Sequence, residues 1–392
     1  MRVKEGIFWT GHIDWKLRSF HGYLTPLGST YNAYVIVDQK PAVIDTVKSY
    51  GFKDMLKGLK RVVDPEKIEY IISNHTEMDH SGSIKALLDL CPKATVVCSP
   101  KGKEGLTRHF KKDWNFKVVT SGEELSLGGR TLRFFPVPMV HWPDSMVTYC
   151  PQEKILFSND AFGQHFASDY RFADEANRET IFKEATKYYA NIVLPYGAQV
   201  LKALDALSGL DIEMICASHG LIWRTEENIK KIVSLYRKWA SHQADSGVVI
   251  VYDSMWHSTE TMAFRLAQIT ENAGIPVKLF NLQATHISDI IPEVMLNKCL
   301  MVGTPALNNQ VLPTVGAFLI YLKGLKPKNR LAFTFGSYGW SKKAFLELEV
   351  SLKEAGMELV AEGKYFRYIP EESELSSLAE AVHKIKEVFD ER

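Results

Sequence analysis

Cysteine is scarce here, at five among 392 residues, and Cys91, Cys98, Cys150, Cys216 and Cys299 are scattered with no C-x-x-C pair. That excludes a disulfide framework and a rubredoxin or iron–sulfur module in this chain, and it suits a reducing cytoplasm. Long apolar runs are missing too. None reaches the roughly 20 residues of a membrane span, and the start, Met1-Arg2-Val3-Lys4-Glu5-Gly6-Ile7, lacks the apolar core of a signal peptide. A cytoplasmic protein is therefore expected. Charge of one sign is absent as well. Lys and Arg number 47 against 46 Asp and Glu, a net charge of +1, so neither a nucleic acid nor an acidic polymer is implied as partner. Internal repeats and low-complexity segments do not occur.

What is present is an ordinary globular composition, 46% hydrophobic and 24% charged, in a chain long enough for two domains. The first part carries many short strand patterns, at 31–37, 42–45, 68–73, 95–99, 116–119, 130–136, 146–150, 155–158 and 214–217. Helical spacing lies between and after them, at 52–62, 83–90, 175–190, 199–207 and 225–240. This predicts an αββα sandwich. The polar stretch 241–247 marks a boundary, dividing residues 1–246 from 247–392. Beyond it the pattern becomes strictly alternating. Apolar runs at 248–252, 277–280, 300–303, 330–335 and 359–365 are each followed by a helical segment. Five βα units in a row predict a doubly wound, five-stranded parallel sheet with right-handed crossovers.

The chemistry begins at Ser73-Asn74-His75-Thr76-Glu77-Met78-Asp79-His80. Two histidines and two carboxylates occupy six positions at the exit of the strand 68–73, in the pattern H-x-E-x-D-H. His141, Asp160 and His219 each follow a later apolar run, so all seven could converge on one edge of the sandwich. Imidazole-rich sites suit zinc, while added carboxylates favour harder ions and redox iron.

A second cluster opens the second part. Tyr252-Asp253-Ser254-Met255-Trp256-His257-Ser258-Thr259 links a buried strand to a helix start. A hydroxyl-rich turn at a helix N-terminus is a phosphate cradle, because free backbone N–H groups and the helix dipole face the anion. G-x-G-x-x-G is missing, which argues against a dinucleotide.

The H-x-E-x-D-H cluster resembles the H-x-H-x-D-H of metallo-β-lactamase-type hydrolases, with Glu77 where their second histidine stands. Together with the later His, Asp and His and a flavodoxin-like second half, the whole chain resembles the flavodiiron proteins, also called A-type flavoproteins. That resemblance implies a metallo-β-lactamase-like domain followed by a flavodoxin-like one. It implies two non-haem irons, with His75, Glu77 and His141 on one, Asp79, His80 and His219 on the other, and Asp160 bridging. His21 and Tyr196 would lie near as hydrogen-bond or proton donors. It also implies FMN. Ser254, Met255, Trp256, His257, Ser258 and Thr259 form its phosphate loop, Thr304, Pro305, Ala306, Leu307 and Asn308 one side of its ring site, and Ser337, Tyr338, Gly339 and Trp340 the other.

The function so implied is reduction of dioxygen to water, nitric oxide to nitrous oxide, or both, with electrons from a rubredoxin or similar small donor protein. Both gases would use the same ligands, so the preference stays open. A head-to-tail homodimer, or a dimer of such dimers, would set the flavin of one chain beside the irons of the other. Two alternatives remain. One is a zinc hydrolase with a flavodoxin appendage, against which Glu77 counts. The other is an electron carrier with a vestigial metal site, against which the complete ligand set counts.

Overall fold

The computed structural model describes residues 1–391, so Arg392, the last residue of the second predicted domain, lies outside the described residues. Contacts divide the chain into two units. Met1–Tyr189 joins Ala198–Arg237 in the first, and Ala190–Gly197 joins Lys238 onward in the second. The sequence reading sets its boundary at 246, just inside the strand Asp245–Tyr252 that opens the second unit's sheet.

The first unit is built on two sheets. A seven-stranded sheet runs in the order Arg2–Lys4, Ile7–Trp9, Tyr34–Ile36, Ala42–Ile44, Tyr70–Ser73, Thr95–Cys98, Phe116–Val118. Its first strands pair antiparallel and its last four parallel. A five-stranded sheet contains Glu124–Ser126, Thr131–Pro136, Met146–Cys150, Ile155–Asn159 and Met214–Ala217. The period of two along each strand decides the packing. Tyr34, Ile36, Ile44 and Ile72 of the first sheet pack with Phe134, Met146, Ile155 and Phe157 of the second. The alternate residues Val35, Val43, Ile71 and Val96 face away, onto Met55, Leu59, Ile84, Leu87 and Leu106 of the flanking helices. This is the sandwich the sequence predicts.

Some local expectations change. The single strand expected at 31–37 is interrupted, with strands at Ser29–Tyr31 and Tyr34–Ile36. Asn32 causes the break, since its side-chain amide donates to the Ala217 and Gly220 carbonyls beside His219. Five strands of two or three residues, the last ending at Leu24, have no counterpart in the sequence reading. Segments that short carry no alternation to detect.

The second unit's sheet runs Val277–Asn281, Asp245–Tyr252, Asn297–Pro305, Arg330–Tyr338, then an edge, all parallel. This is the 2-1-3-4-5 order of flavodoxin-like folds. Both faces are covered, so Val248–Tyr252 is buried throughout, as its unbroken apolar run requires. The edge differs from the expected strand at 359–365. It is two short pieces, Met357–Leu359 and Lys364–Arg367, and both pair with Arg330–Tyr338. Among the described residues no helix is long and apolar enough to cross a membrane, and all five cysteines are free and buried.

Candidate metal centre and flavin pocket

The seven metal-ligand candidates all sit where strands end. The chain leaves Tyr70–Ser73 through His75, reaches Glu77 as the residue before the short helix Met78–Ser81, and carries Asp79 and His80 inside it. The turn after Thr131–Pro136 presents His141, Asp160 follows Ile155–Asn159, and His219 follows Met214–Ala217. They form two groups, His75 with Glu77, His141 and Asp160, and Asp79 with His80 and His219.

Asp160 joins the groups. Its Oδ2 lies 3.2 Å from His141 Nε2 and 3.6 Å from His75 Nε2. Its Oδ1 lies 3.0 Å from His80 Nε2 and 3.3 Å from His219 Nε2. Glu77 Oε2 completes the first group, 3.4 Å from His75 Nε2 and 3.5 Å from His141 Nε2. Asp79 completes the second, 3.4 Å from His80 and 3.2 Å from His219.

All seven are buried, yet His75 Nε2, His80 Nε2 and both oxygens of Asp79 and Asp160 make no hydrogen bond. Buried polar atoms without partners are costly. Here they converge, which is what a pair of cations would require. Four imidazoles and three carboxylates fit a redox iron pair better than an all-histidine set would. The tautomers are fixed from behind. His75 Nδ1 pairs with Asp144 Oδ2 at 3.0 Å, and His219 Nδ1 with the Thr30 carbonyl at 2.7 Å. Each Nε2 lone pair is thereby aimed into the centre.

Electrostatics agree. Burial alone would raise the Glu77 carboxyl, but the His21 and His75 imidazoles beside it outweigh burial and hold the group at about 2. Asp79 and Asp160 are likewise held low against burial by the surrounding imidazoles. Burial opposes the charge on His219, yet the Asp160 and Asp79 carboxylates beside its Nε2 lift it to about 10. The carboxylates thus stay ionised inside a buried centre, the charge that bound cations would offset.

Of the two neighbours named from sequence, His21 tips the hairpin Ser19–Phe20 and Tyr23–Leu24. Its Nε2 lies 3.0 Å from Glu77 Oε1. Tyr196 ends a turn in Ala190–Gly197, the segment that belongs to the second unit. Two tyrosines pack against a ligand instead, Tyr188 and Tyr31, whose rings lie 5.9 and 5.8 Å from that of His219. His165 packs there too, 4.8 Å from the His219 ring, with Nδ1 held by Ser29 at 2.7 Å. Asp144, Tyr188 and His165 escaped the sequence reading. Asp144 had a signal, since it stands three residues after His141 in His-Trp-Pro-Asp. The other two had none, because folding alone brings them there.

In the second unit a cavity of about 690 Å³ opens beyond the carboxyl ends of the strands, a size typical of ligand sites. Eleven predicted residues line it: Met255, Trp256, Ser258, Pro305, Ala306, Leu307, Asn308, Ser337, Tyr338, Gly339 and Trp340. Asn309, Ser341, Tyr368 and Ile369 add to the wall. Ser254, His257, Thr259 and Thr304 do not line it. Thr304 is tied to its own loop, its Oγ1 accepting from the Leu312 amide at 3.1 Å. His257 has a left-handed φ of 65° before the helix Ser258–Asn272, with Nδ1 2.6 Å from Glu260.

Asp253 braces the loop, its Oδ1 accepting from the Ser254 amide and the Gln283 side chain, each at 2.6 Å. Ser254 Oγ is buried without a partner, and the helix start at Ser258 leaves backbone amides free. Both features fit an anion such as a flavin phosphate. Two ring-site turns are held side by side because Gly336 has no side chain. A Cβ there would fall 2.0 Å from the Thr304 carbonyl oxygen.

The fold and the two sites define a class, a metallo-β-lactamase-type metal domain joined to a flavodoxin domain. Family profiles agree, with the ODP family beta lactamase matching residues 30–220 and Flavodoxin matching 250–381. The nitric oxide reductase of Moorella thermoacetica is 42% identical over 389 residues, covering 98% of this chain and 97% of that one. The rubredoxin-oxygen oxidoreductase of Megalodesulfovibrio gigas is 41% identical over 381 residues, covering 96% and 95%. Among solved structures, the rubredoxin oxygen:oxidoreductase from Desulfovibrio gigas superposes with a TM-score of 0.97 at 40% identity, covering 100% of this chain and 98% of that one. The flavodiiron protein from Giardia intestinalis gives 0.95 at 34%, covering 99% and 97%. The chain belongs to the flavodiiron family of oxidoreductases.

Proposed function

We propose that this chain reduces dioxygen to water, nitric oxide to nitrous oxide, or both, at a pair of non-haem irons supplied with electrons through FMN. The observation that carries the reading is Asp160, whose two oxygens face two separate groups of buried, unpaired ligand atoms. When bound, two ferrous ions and reduced FMN supply the four electrons that dioxygen needs, or the two that couple a pair of nitric oxides. Asp144 and the Thr30 carbonyl keep the imidazoles oriented. His21 at the half-open mouth holds a proton beside Glu77. Its hydrogen bond to that carboxylate, more than burial, decides the balance and raises its imidazole above the ordinary range. Tyr188 screens the His219 side from water, and a donor role for Tyr196 remains part of the proposal.

The electron source in this reading is a rubredoxin or similar small protein, since none of the five cysteines forms a C-x-x-C pair. The proposed location is the cytoplasm, where the buried thiols stay reduced. The proposed working unit is a head-to-tail homodimer or a dimer of such dimers. An isologous contact brings the flavin of each chain to the metal pair of the other, twice per dimer.

Metal and flavin analysis after anaerobic, iron-supplemented expression tests the cofactors, with about two irons and one FMN per chain expected. Two zincs without iron-dependent turnover, or FAD in place of FMN, would overturn the reading. Turnover with each gas and reduced rubredoxin ranks the substrates. For the dimer, a chain lacking metal through His80→Ala and His219→Ala is mixed with one lacking flavin through Ser254→Ala and Thr259→Ala. Regained turnover supports transfer between chains. Mixed dimers that stay inactive with each cofactor in place reject it.

A further inference from the structure

Beside His219 a line of phenols runs outward. The buried Tyr31 ring meets the His219 ring nearly edge-on, with centroids 5.8 Å apart at 73°. Its hydroxyl lies 3.2 Å from that of Tyr50. Tyr50 is 59% exposed and donates to Asp14 Oδ2 at 2.5 Å. The Tyr31 hydroxyl reaches the same oxygen only at 3.4 Å. Lys48 Nζ lies over both rings, 4.9 Å from the centre of Tyr31 and 6.0 Å from that of Tyr50. Burying one phenol with a hydrogen bond is ordinary. An unbroken run from a metal-ligand ring to a surface phenol with its own carboxylate calls for a further account.

We propose that Tyr31 and Tyr50 form an escape route for oxidising equivalents, ending on Tyr50. The inference rests on the oxygen-reducing reading above. When dioxygen meets fewer than the four electrons it needs, the partly reduced dioxygen would be the oxidant beside His219, taking the missing electron with a proton from water. One electron then passes inward along Tyr50 and Tyr31. The Tyr50 O–H bond breaks, its proton forms an O–H bond on the Asp14 carboxylate, and a neutral phenoxyl radical remains at the surface. A small soluble thiol returns a hydrogen atom to Tyr50 and Asp14 releases its proton to water, and after two such events the two thiyl radicals pair as a disulfide. Atoms and electrons balance, and the ligands are spared.

The geometry also selects the end point. A phenol gives up an electron readily only when a base takes its proton, and Asp14 lies closer to the Tyr50 hydroxyl than to that of Tyr31. The Lys48 ammonium, closer to Tyr31, disfavours positive charge on the inner ring.

The test uses the iron- and flavin-loaded protein, partly reduced and mixed with excess dioxygen, then freeze-quenched for electron paramagnetic resonance. A tyrosyl radical is expected, narrowed by ring-deuterated tyrosine, and lost in both Tyr50→Phe and Tyr31→Phe. Asp14→Asn, which keeps both phenols, should delay its appearance. After repeated oxygen cycles, peptide mass spectrometry should find oxidation of the His219 and Tyr188 peptides increased several-fold in Tyr31→Phe at unchanged iron content. A radical of unchanged amplitude and line shape in Tyr50→Phe overturns the inference. So does the absence of any radical together with equal ligand damage in all variants. Iron content and turnover of the unmodified protein report on the function itself, so a chain that turns over without a Tyr50 radical sinks this inference alone.

Discussion

Asp144 grips His75 from behind, its Oδ2 lying 3.0 Å from the imidazole Nδ1 and 2.7 Å from the Thr76 amide that donates to it. Neither group touches the space where a metal would sit, yet together they set the direction of His75 Nε2. Asp144→Ala is therefore expected to weaken metal binding by about 10- to 100-fold, the usual cost of losing such an outer partner. Chelator competition measures this. Unchanged affinity in a folded variant would mean that the ring is held by packing alone.

Asp160→Asn should act on both metals together, because each group receives one carboxylate oxygen. Iron analysis is expected to find both ions lost or loosely held. Loss of one ion with full retention of the other would show that the bridge is not shared.

Ser254 offers a buried hydroxyl with no partner, poised for a phosphate oxygen. Ser254→Ala should raise the Kd for FMN by about 10- to 100-fold, since a hydrogen bond to a charged group contributes about 1.5–3 kcal/mol. Quenching of flavin fluorescence on titration reads it directly. Riboflavin, which lacks the phosphate, should bind both proteins alike.

His242 predicts a pH dependence of stability. Burial first, then the Arg330 and Lys328 cations, hold its imidazole at about 4, below the ordinary 6.5. Its ring is neutral when folded, and Nδ1 accepts from the Lys328 amide at 3.4 Å. Between those two values the unfolded chain binds the extra proton, so stability is fully present above pH 6.5 and is lost as pH falls toward 4. The loss amounts to about 3 kcal/mol over the window. Denaturant midpoints measured across it should slope upward with pH, and His242→Gln should flatten that component. An unchanged slope would assign it to other groups.

The legible part of this molecule was the part encoded over short spans. Glu77, Asp79 and His80 were readable because one strand exit and one helical turn hold them, and the cradle 253–259 because strand, turn and helix start are contiguous. His141, Asp160 and His219 were readable through their common position after apolar runs. The groups that hold or flank them were not. Thr30 acts through a carbonyl, which carries no residue signature, and Tyr188 reaches His219 through a helix 31 positions earlier in the chain. The network of Asp14, Tyr31 and Tyr50 begins in strands too short to show a period. Tyr368 and Ile369 joined the flavin pocket only because the last strand is split.

That split makes the pocket adjustable from a distance. The piece Lys364–Arg367 pairs with the strand end 335–338, and Tyr368 follows at once, its amide bonded to the Tyr338 carbonyl at 2.8 Å. The connector 360–363 joins the two edge pieces, its Val360 amide bonded to the Ala332 carbonyl. Lengthening or shortening it would shift Tyr368 and Ile369, one wall of the cavity, relative to the phosphate cradle 253–259. A lineage could thus retune the width of its flavin slot by indels in an edge connector, a kind of variation that substitution-based comparison of binding residues would overlook.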